Sequence, residues 1–471
     1  MGEINGFYTM PHPPIVVHEV GRGEEKKVKK TSDACHEIGE EIGSIKPDTL
    51  IIVSPHGPVF SDAVALTAGG KIAGDFSKFR APQVKLSLNV DKNLTQRIIE
   101  YAEKDSIPTA KITKASASQY GINYELDHGA LVPLYFIYQH YQDFKIVHIT
   151  YGMLSKMELY RFGMCIQKAV KDSHVKAVMI ASGDLSHRLI EDGSYAYSPY
   201  GEKFDNEIVS LLTRGDVAGI FNMDPTMIEE AGECGLRSYY IMLGAMDGYA
   251  ISGQLLAYEG VFGVGYAVMK FSLEKSKENM YARLIEENEK LFKAKLNTKN
   301  PYAKLARESL THYLEHGKPM KIPSYVTDEM KSNKRGVFVT LKKEGQLRGC
   351  IGTVFPTTAS IAEEIIRNAI QAGEHDPRFD PVSQEELPSI DFSVDVITNP
   401  EKASKDELDP KKYGVIVRSG LKSGLLLPDL EGVDTVERQL DIALQKGNIS
   451  PYADYKIEKF EVIRHKEIDS E

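Results

Sequence analysis

The 471-residue chain contains no apolar run that approaches the roughly 20 residues needed to cross a bilayer. Its N-terminus also lacks a basic segment followed by a long apolar stretch, so we expect neither a membrane span nor a signal peptide. No block of basic residues occurs, and the formal net charge is −10. Because a phosphate-binding surface needs clustered Lys and Arg, this charge pattern argues against nucleic acid as the main partner.

Cysteine is scarce in this chain. The four residues, Cys35, Cys165, Cys234 and Cys350, lie far apart and never form a C-x-x-C pair. This spacing argues against a disulfide framework and against a structural zinc site. With 42% hydrophobic and 26% charged residues, the composition predicts a folded, reduced, cytoplasmic protein. The length predicts two or three domains.

Short apolar runs alternate with helical stretches from Ile4 to about Phe271. One helical stretch carries a single apolar stripe, because its apolar residues recur at steps of three and four. This alternation predicts an α/β domain with a central sheet covered by helices on both faces and a site at the strand ends. The predicted buried strands are Thr49–Ser54, Phe144–Thr150 and Val175–Ser182, and the stripe is Leu159, Phe162, Ile166 and Val170.

The character of the chain changes after the first domain, which we assign to residues 1–272. Residues 273–300 mix charges of both signs with few apolar residues, which predicts a linker helix. Residues 301–471 then predict a smaller α+β domain. Its first helix is expected to begin with Pro301 as its first residue and to end at His316, before Gly317. A second helix is expected from Ser360 to Gln371.

Four histidines occupy settings typical of a site in an α/β protein. His12 lies between prolines in "MPHPP", and His56 follows a predicted strand in "IIVSPHGP". His128 stands where a helix begins in "ELDHGALVPL", and His187 follows another strand in "MIASGDLSH". Any one of them alone is more often structural or solvated. Four in matching settings indicate a shared site, whereas the remaining histidines of this domain are assigned to structure or surface.

A divalent metal ion bound by two neutral imidazoles needs a carboxylate for both charge and coordination. Glu233 is the best candidate, because "EEAGECGLRSYY" places it in a glycine-flanked turn before a predicted helix. Glu229 and Glu230 are expected to face solvent. Cys234, next to Glu233, is the alternative third ligand: its sulfur is a soft ligand that would take the place of the carboxylate.

The motifs "MPHPP", "SPHG", "LDHGALVPL" and "SGDLSH", in this order, resemble those of the class III extradiol ring-cleavage dioxygenases over residues 4–271. The resemblance implies Fe(II) bound by His12, His56 and a later carboxylate. It implies His187 as the catalytic acid/base and His128 as a histidine on the substrate side. The implied substrates are an aromatic diol of the catechol type and O₂. Zn²⁺ is able to replace Fe(II) in isolated protein, because it binds such ligands more tightly.

Memo-like proteins share this fold and carry a cysteine near the carboxylate position, which keeps a non-enzymatic metal-binding function as the alternative. The C-terminal motifs "LRGCIG", "DPRFDPV" and "SVDVIT" resemble the AMMECR-type domain over about residues 301–465. That family brings no established activity. Its members often accompany Memo-like and radical-SAM proteins, so a radical-SAM pathway partner is expected. The oligomeric state is left open.

Cys350 is the one nucleophile that stands out in the C-terminal motifs. The neighbouring Arg348 favours a thiolate, but a small residue packed in a strand is the favoured interpretation because no companion base is evident. His375 would qualify only if the fold brought it to Cys350. Arg348 and Arg378 are able to attract an anionic ligand, although salt bridges are the commoner use. We therefore expect the ring-cleavage chemistry to lie outside this domain.

Overall fold

The computed structural model describes residues 1–193, 195–276, 278–343, 345–430 and 432–467. The chain divides into two compact units, Met1–Ile285 and a second that begins at Glu286. This division falls inside α11 (Met280–Leu296), a helix within the stretch predicted as a linker. In the described ranges, no helix combines the length and apolar character needed to span a membrane.

The first unit is built on one large mixed sheet. Its strands are β1 (Glu3–Met10), β2 (Thr49–Ser54), β3 (Val64–Thr67), β6 (Thr109–Ile112), β7 (Lys145–Thr150), β8 (Lys176–Ser182), β9 (Tyr249–Glu259) and β10 (Tyr266–Lys275). They lie side by side in the order β6-β3-β7-β2-β8-β1-β10-β9. The central strands β7, β2, β8 and β1 are parallel, and β10 and β9 extend the sheet antiparallel. A separate hairpin pairs β4 (Lys71–Phe76) with β5 (Ala81–Asn89).

Helices cover both faces of the sheet, which confirms the predicted α/β architecture. In β2, Leu50 and Ile52 join one core cluster while Ile51 and Val53 join the other. Every residue of β2 is buried, which explains its unbroken apolar run. The helices are α1 (His18–Gly21), α2 (Lys29–Ile45), α3 (Lys92–Lys104), α4 (Lys114–Tyr120), α5 (His128–His140), α6 (Lys156–Lys171), α7 (Pro199–Arg214), α8 (Val217–Phe221), α9 (Pro225–Ala231) and α10 (Leu236–Ala245).

In helix α6, the local sequence explains both where the helix begins and which of its faces is buried. Ser155 caps its first turn by accepting a hydrogen bond from the N–H of Glu158, whose carboxylate in turn accepts from the N–H of Ser155. This reciprocal arrangement satisfies two donors that a helix start leaves free. The four residues of the predicted stripe are all buried, so the 3.6-residue period identified the inward face correctly.

The second unit contains two four-stranded sheets and confirms the predicted smaller α+β fold. The first sheet has the order β12 (Gln346–Thr353), β11 (Val337–Lys343), β13 (Ile390–Ile397), β18 (Val462–Lys466), and the second β14 (Glu401–Ala403), β17 (Lys456–Phe460), β15 (Gly414–Ser419), β16 (Lys422–Leu426). Its helices are α12 (Pro301–His316), α13 (Asp328–Ser332), α14 (Ile361–Glu374) and α15 (Val436–Lys446). Pro301 opens α12 as predicted, and Gly317 ends it in the left-handed conformation with φ 68°.

A buried ion pair stabilises the core of the second unit. Arg307, on α12, is 1% exposed, and its guanidinium donates to both carboxylate oxygens of Glu467. It also donates to the carbonyl oxygens of Leu387 and Ile390. The N–H of Phe392 donates to the same carboxylate, at 3.0 Å. Both charges are therefore paired and hydrogen-bonded, as burial requires.

Replacing Arg307 with Met should destabilise the second unit by about 3–5 kcal/mol, because Glu467 would remain as an unpaired buried carboxylate. The measurement is the free energy of unfolding of the full chain in urea. Arg438→Met, at an exposed position of α15, is the matched control and should change stability by less than about 0.5 kcal/mol. Equal stabilities of the two variants would contradict the assigned role of Arg307.

Candidate metal centre

The site begins with the parallel pairing of β1 and β8. Their register places Met10 opposite Ser182, and both strands end at these residues. The N–H of Gly183 continues the ladder by donating to the carbonyl oxygen of Met10, at 3.1 Å. The segments that follow the two strands therefore leave the sheet side by side. They carry His12 on one side and Asp184 on the other.

The tautomer of His12 is fixed by Ser182. The hydroxyl of Ser182 donates its only proton to the carbonyl oxygen of Gly129, at 2.5 Å, and lies 2.9 Å from Nδ1 of His12. The hydroxyl must then accept from Nδ1, so the ring proton sits on Nδ1 and Nε2 carries the lone pair. His12 is buried, and this burial, together with the nearby His56 ring, lowers its pKa well below the usual value. The imidazole is therefore neutral and presents a ligand nitrogen.

His56 and His128 complete a cluster of three imidazoles with His12. Nε2 of His56 lies 2.9 Å from Nε2 of His12, with the rings edge to face at 4.7 Å. The ring of His128 stacks on His56 at a centroid distance of 4.1 Å. Burial and the two neighbouring imidazoles lower the pKa of His128 to about 3. Three neutral rings thus face one point at the carboxyl edge of the sheet.

Asp127 ties the elements that carry these rings to one another. Its carboxylate caps α5 by accepting from the N–H of Ala130, and it accepts from the hydroxyl of Ser54 at the end of β2. It also lies 3.0 Å from Nε2 of His148 on β7. Burial alone would raise the pKa of Asp127, but the hydrogen bonds from His148 and Ser54 outweigh it and hold the pKa below the usual range.

Asp184 and Cys234 form a second group of potential ligands with His12. Asp184 Oδ1 accepts from the backbone N–H of His12 at 2.9 Å, and Oδ2 lies 3.8 Å from its Nε2. Cys234 Sγ lies 3.6 Å from the same nitrogen. Burial raises the pKa of Asp184 to about 6, and burial with the nearby carboxylates of Asp184 and Glu233 raises that of the Cys234 thiol. His12 is therefore shared by an imidazole group and a carboxylate–thiol group.

Glu233, the carboxylate that the sequence favoured, belongs to neither group. Its Oε2 accepts from the N–H of Leu236 at 2.6 Å, at the first turn of α10. Burial raises the pKa of Glu233 to about 7. The carboxylate that lies beside His12 is that of Asp184 instead. The reason is geometric, because the β1–β8 pairing brings Asp184 to His12, whereas Glu233 is engaged at the start of a helix.

His187 lies three residues after Asp184, in the same segment that follows β8. Its backbone N–H donates to the carbonyl oxygen of Ala231, which fixes the loop, and its ring lies 5.1 Å from that of Tyr195. Nε2 of His187 is buried and has no hydrogen-bond partner among the described residues. Burial lowers the pKa of His187, and Asp184 opposes this change. Nε2 of His187 is thus available for a hydrogen bond or a proton transfer with a ligand.

A cleft of about 370 Å³ opens beside the imidazole cluster. His56 and His128 line it, and Phe79 lies edge to face with His128 at 5.5 Å. Leu131 adds apolar surface, while Lys78 pairs with Glu125 at 2.6 Å at the outer part. Its volume falls within the range typical of small-molecule sites.

Four residues of this network were missed in the sequence. Asp184 and Asp127 stand inside two of the motifs that located the histidines, at spacings that gave no sign of their contacts. Ser182 ends a predicted strand and looked like any strand residue. His148 was assigned to structure because it lies in an apolar strand, yet it bonds Asp127 and Thr67. The signal that the sequence offers for His148 is a histidine inside an otherwise apolar strand.

The motif residues of the second unit are engaged with one another. Arg348 pairs with Glu386 at 2.9 Å, and Arg378 pairs with Asp376 at 2.7 Å. Asp376 also accepts from the N–H of Cys350, whose thiol lies 3.2 Å from the hydroxyl of Thr340. Both arginines are thus used in salt bridges, and the thiol contacts a hydroxyl rather than a base.

The fold and the site together define a class: an α/β protein with a histidine cluster at the carboxyl edge of a mixed sheet. Residues 6–269 match the family model described as the catalytic LigB subunit of aromatic ring-opening dioxygenase, and residues 303–466 match AMMECR1. The chain therefore belongs to the LigB family and carries an AMMECR1 domain after it.

Relatives and solved structures extend the comparison. Protein CA_C1420 of Clostridium acetobutylicum is 55% identical over 468 residues, covering 98% of this chain and 99% of that protein. A protein of Thermotoga maritima is 49% identical over 170 residues, 36% of this chain and 98% of its own length. The crystal structure of the uncharacterized protein PH0010 from Pyrococcus horikoshii is 32% identical and covers 36% of this chain and 92% of its own, with a TM-score of 0.32.

Ser182→Ala should weaken metal binding by about 10- to 100-fold, because His12 loses the partner that fixes its tautomer and ring orientation. Competition against a chelator of known affinity measures this change. Ser238→Ala is the matched control, since Ser238 is also buried but its hydroxyl has no partner among the described residues. If both variants bind metal like the parent, Ser182 does not position the ligand.

Proposed function

We propose that the first unit binds one Fe(II) ion and uses O₂ to open the ring of a small aromatic diol. The supporting observation is the approach of Nε2 of His12 to Nε2 of His56, 2.9 Å apart. Ser182 leaves the lone pair of His12 facing His56, so a cation between the two rings satisfies both nitrogens. Membership in the LigB family supports the same chemistry.

In this proposal the ligands are His12, His56 and Asp184, with Asp184 taking the place predicted for Glu233. Oδ1 of Asp184 is held by the backbone of His12, which leaves Oδ2 available. Two histidines and one carboxylate on one face leave coordination positions open for substrate and O₂. The carboxylate also supplies the negative charge that two neutral imidazoles lack.

When bound, Fe(II) supplies coordination of the diol oxygens and activation of O₂. The chain supplies proton transfer and orientation. His187 takes a proton from the diol at its free Nε2 and returns it later, a role that suits a neutral imidazole. His128 and Phe79 line the cleft and hold the aromatic ring. The four cysteines are free, which suits the reducing cytoplasm that we propose as the location.

A second function is supported by Cys234. A thiolate ligand with His12 favours softer ions such as Cu(I) or Zn²⁺ over a site for O₂ chemistry. This arrangement would suit a Memo-like metal-binding protein that works with a radical-SAM partner. The AMMECR1 domain of the same chain accords with such a pathway role. The identity of the third ligand, Asp184 or Cys234, therefore distinguishes the two proposed functions.

Variants of the ligand residues should show whether Asp184 or Cys234 is the third ligand beside His12 and His56. His12→Ala and His56→Ala should each abolish stoichiometric Fe(II) in protein purified without oxygen, measured by metal analysis. Asp184→Asn should lower Fe(II) affinity at least tenfold, whereas Cys234→Ala should leave it nearly unchanged. Glu233→Gln is the control next to Cys234 and should retain the metal. The reverse ranking of Asp184 and Cys234 would favour the second function.

Oxygen uptake should accompany ring cleavage when Fe(II)-loaded protein meets a panel of catechols, aminophenols and related diols. His187→Gln should lower the turnover rate by about 10²- to 10⁴-fold, the usual contribution of a general acid/base. The same variant should bind Fe(II) like the parent. An oxygen electrode and product absorbance measure the reaction. If no diol causes oxygen uptake despite full iron loading, the proposed ring-cleaving activity is contradicted and the metal-binding function is favoured.

A further inference from the structure

Two histidines of the first unit, outside the candidate metal centre, also face each other. Nδ1 of His36, on α2, lies 3.2 Å from Nε2 of His140, the last residue of α5. The two rings meet edge to face, with their centroids 5.4 Å apart. The residues are 104 positions apart in the chain, so the packing of α2 against α5 brings them together. Local sequence assigned both to structure or surface, because this helix contact is long-range.

The surface of α2 is shaped to receive the ring of His140. Gly39 lies three residues after His36, and a Cβ atom there would come within 2.6 Å of Cδ2 of His140. A glycine at this position therefore lets the imidazole lie directly against the helix. The ring of His36 also contacts the ring of Phe136 edge to face, with centroids 4.9 Å apart. Close packing on both helices thus keeps the two imidazoles within reach of each other.

The spacing of the two nitrogens suits a metal ion. Two Zn–N bonds of about 2.0–2.1 Å at a tetrahedral angle hold their nitrogens roughly 3.3 Å apart, and the two nitrogens here are 3.2 Å apart. In a neutral pair, one of these nitrogens carries a proton and donates it to the other. If that proton moves to the second nitrogen of its own ring, both facing nitrogens become ligands. Burial and the neighbouring His140 ring lower the pKa of His36, which keeps this ring neutral at pH 7.

A carboxylate stands beside the pair. Glu40 follows His36 by four residues, which places both side chains on one face of α2. The negative charge of Glu40 acts on His36, since it opposes the lowering of the His36 pKa by burial. In the part of the chain that the structure describes, this carboxylate accepts no hydrogen bond and forms no salt bridge. Asp33, the other carboxylate that acts on His36, is paired with Lys29. Glu40 is therefore available as a third ligand.

We propose that His36, His140 and Glu40 bind one Zn²⁺ ion at the surface, with water as the fourth ligand, and that the ion joins the end of α5 to α2. Two imidazoles and one carboxylate form a ligand set that zinc accepts. The ion should stabilise the fold, because the unfolded chain does not hold ligands from two distant helices together. This site shares no residue with the His12 cluster, and the inference does not depend on the proposed ring cleavage.

The zinc content of variants tests the proposed ligands. The full chain, stripped of metal, should bind one equivalent of Zn²⁺ more than its His36→Ala or His140→Ala variant in titrations against a chromophoric chelator. Glu40→Gln should bind that equivalent about tenfold more weakly, because an amide brings no negative charge to the ion. His174→Ala removes an exposed histidine outside the pair and should retain the ion. His12→Ala should also retain it, which separates this site from the candidate metal centre.

Chemical modification locates the ion. Diethyl pyrocarbonate reacts with ring nitrogens that carry a free lone pair, so Zn²⁺ should slow the modification of His36 and His140 at least fivefold and leave that of His174 unchanged. Mass spectrometry of the peptides measures each rate, and circular dichroism checks that the variants fold. Equal zinc content in the parent, His36→Ala and His140→Ala overturns the proposal. Equal reactivity of His36 and His140 with and without zinc overturns it as well, even if a variant fails to fold.

Discussion

The parallel pairing of β1 with β8 is the contact on which the site depends. Its register sets Met10 beside Ser182, and the contacts of His12 with Ser182 and Asp184 follow from that alignment. Ser182 fixes the ring proton of His12, and Asp184 binds the backbone N–H of the same residue. A shift of one residue in this register would turn Ser182 to the other face of the sheet. The position of His12 relative to Ser182 and Asp184 is thus specified by one strand pairing.

A second constraint comes from Asp127, which joins three elements at the same edge. It caps α5 and accepts a hydrogen bond from the hydroxyl of Ser54, two residues before His56. It also bonds His148 on β7. A buried carboxylate is costly unless its oxygens are hydrogen-bonded, and here each oxygen has partners. The histidine cluster is therefore supported by a polar network beneath it. This network connects the elements that carry His56 and His128 to the sheet, whereas the ring of His12 is bonded to the sheet through Ser182.

The two units use their polar residues in different ways. In the first unit, Ser182 directs the lone pair of His12 Nε2 toward His56, and Nε2 of His187 has no hydrogen-bond partner among the described residues. In the second unit, Arg307, Arg348 and Arg378 are bound to carboxylates. Arginine and carboxylate groups that are paired in this way have few hydrogen-bonding positions left for a ligand. The contrast supports a metal centre in the first unit and a packing role for the conspicuous motifs of the second.

The sequence by itself determined the elements and most of the residues of the site. Continuous apolar runs predicted strands such as β2, because a strand buried on both faces needs no polar alternation, and the spacing of Leu159 to Val170 predicted the inward face of α6. The settings of His12, His56, His128 and His187 predicted their positions at strand and helix ends. Only the tertiary structure shows which carboxylate lies beside His12. Asp184 lies 172 residues from His12 in the chain, and its approach to His12 rests on a strand register, a long-range contact that local patterns do not encode.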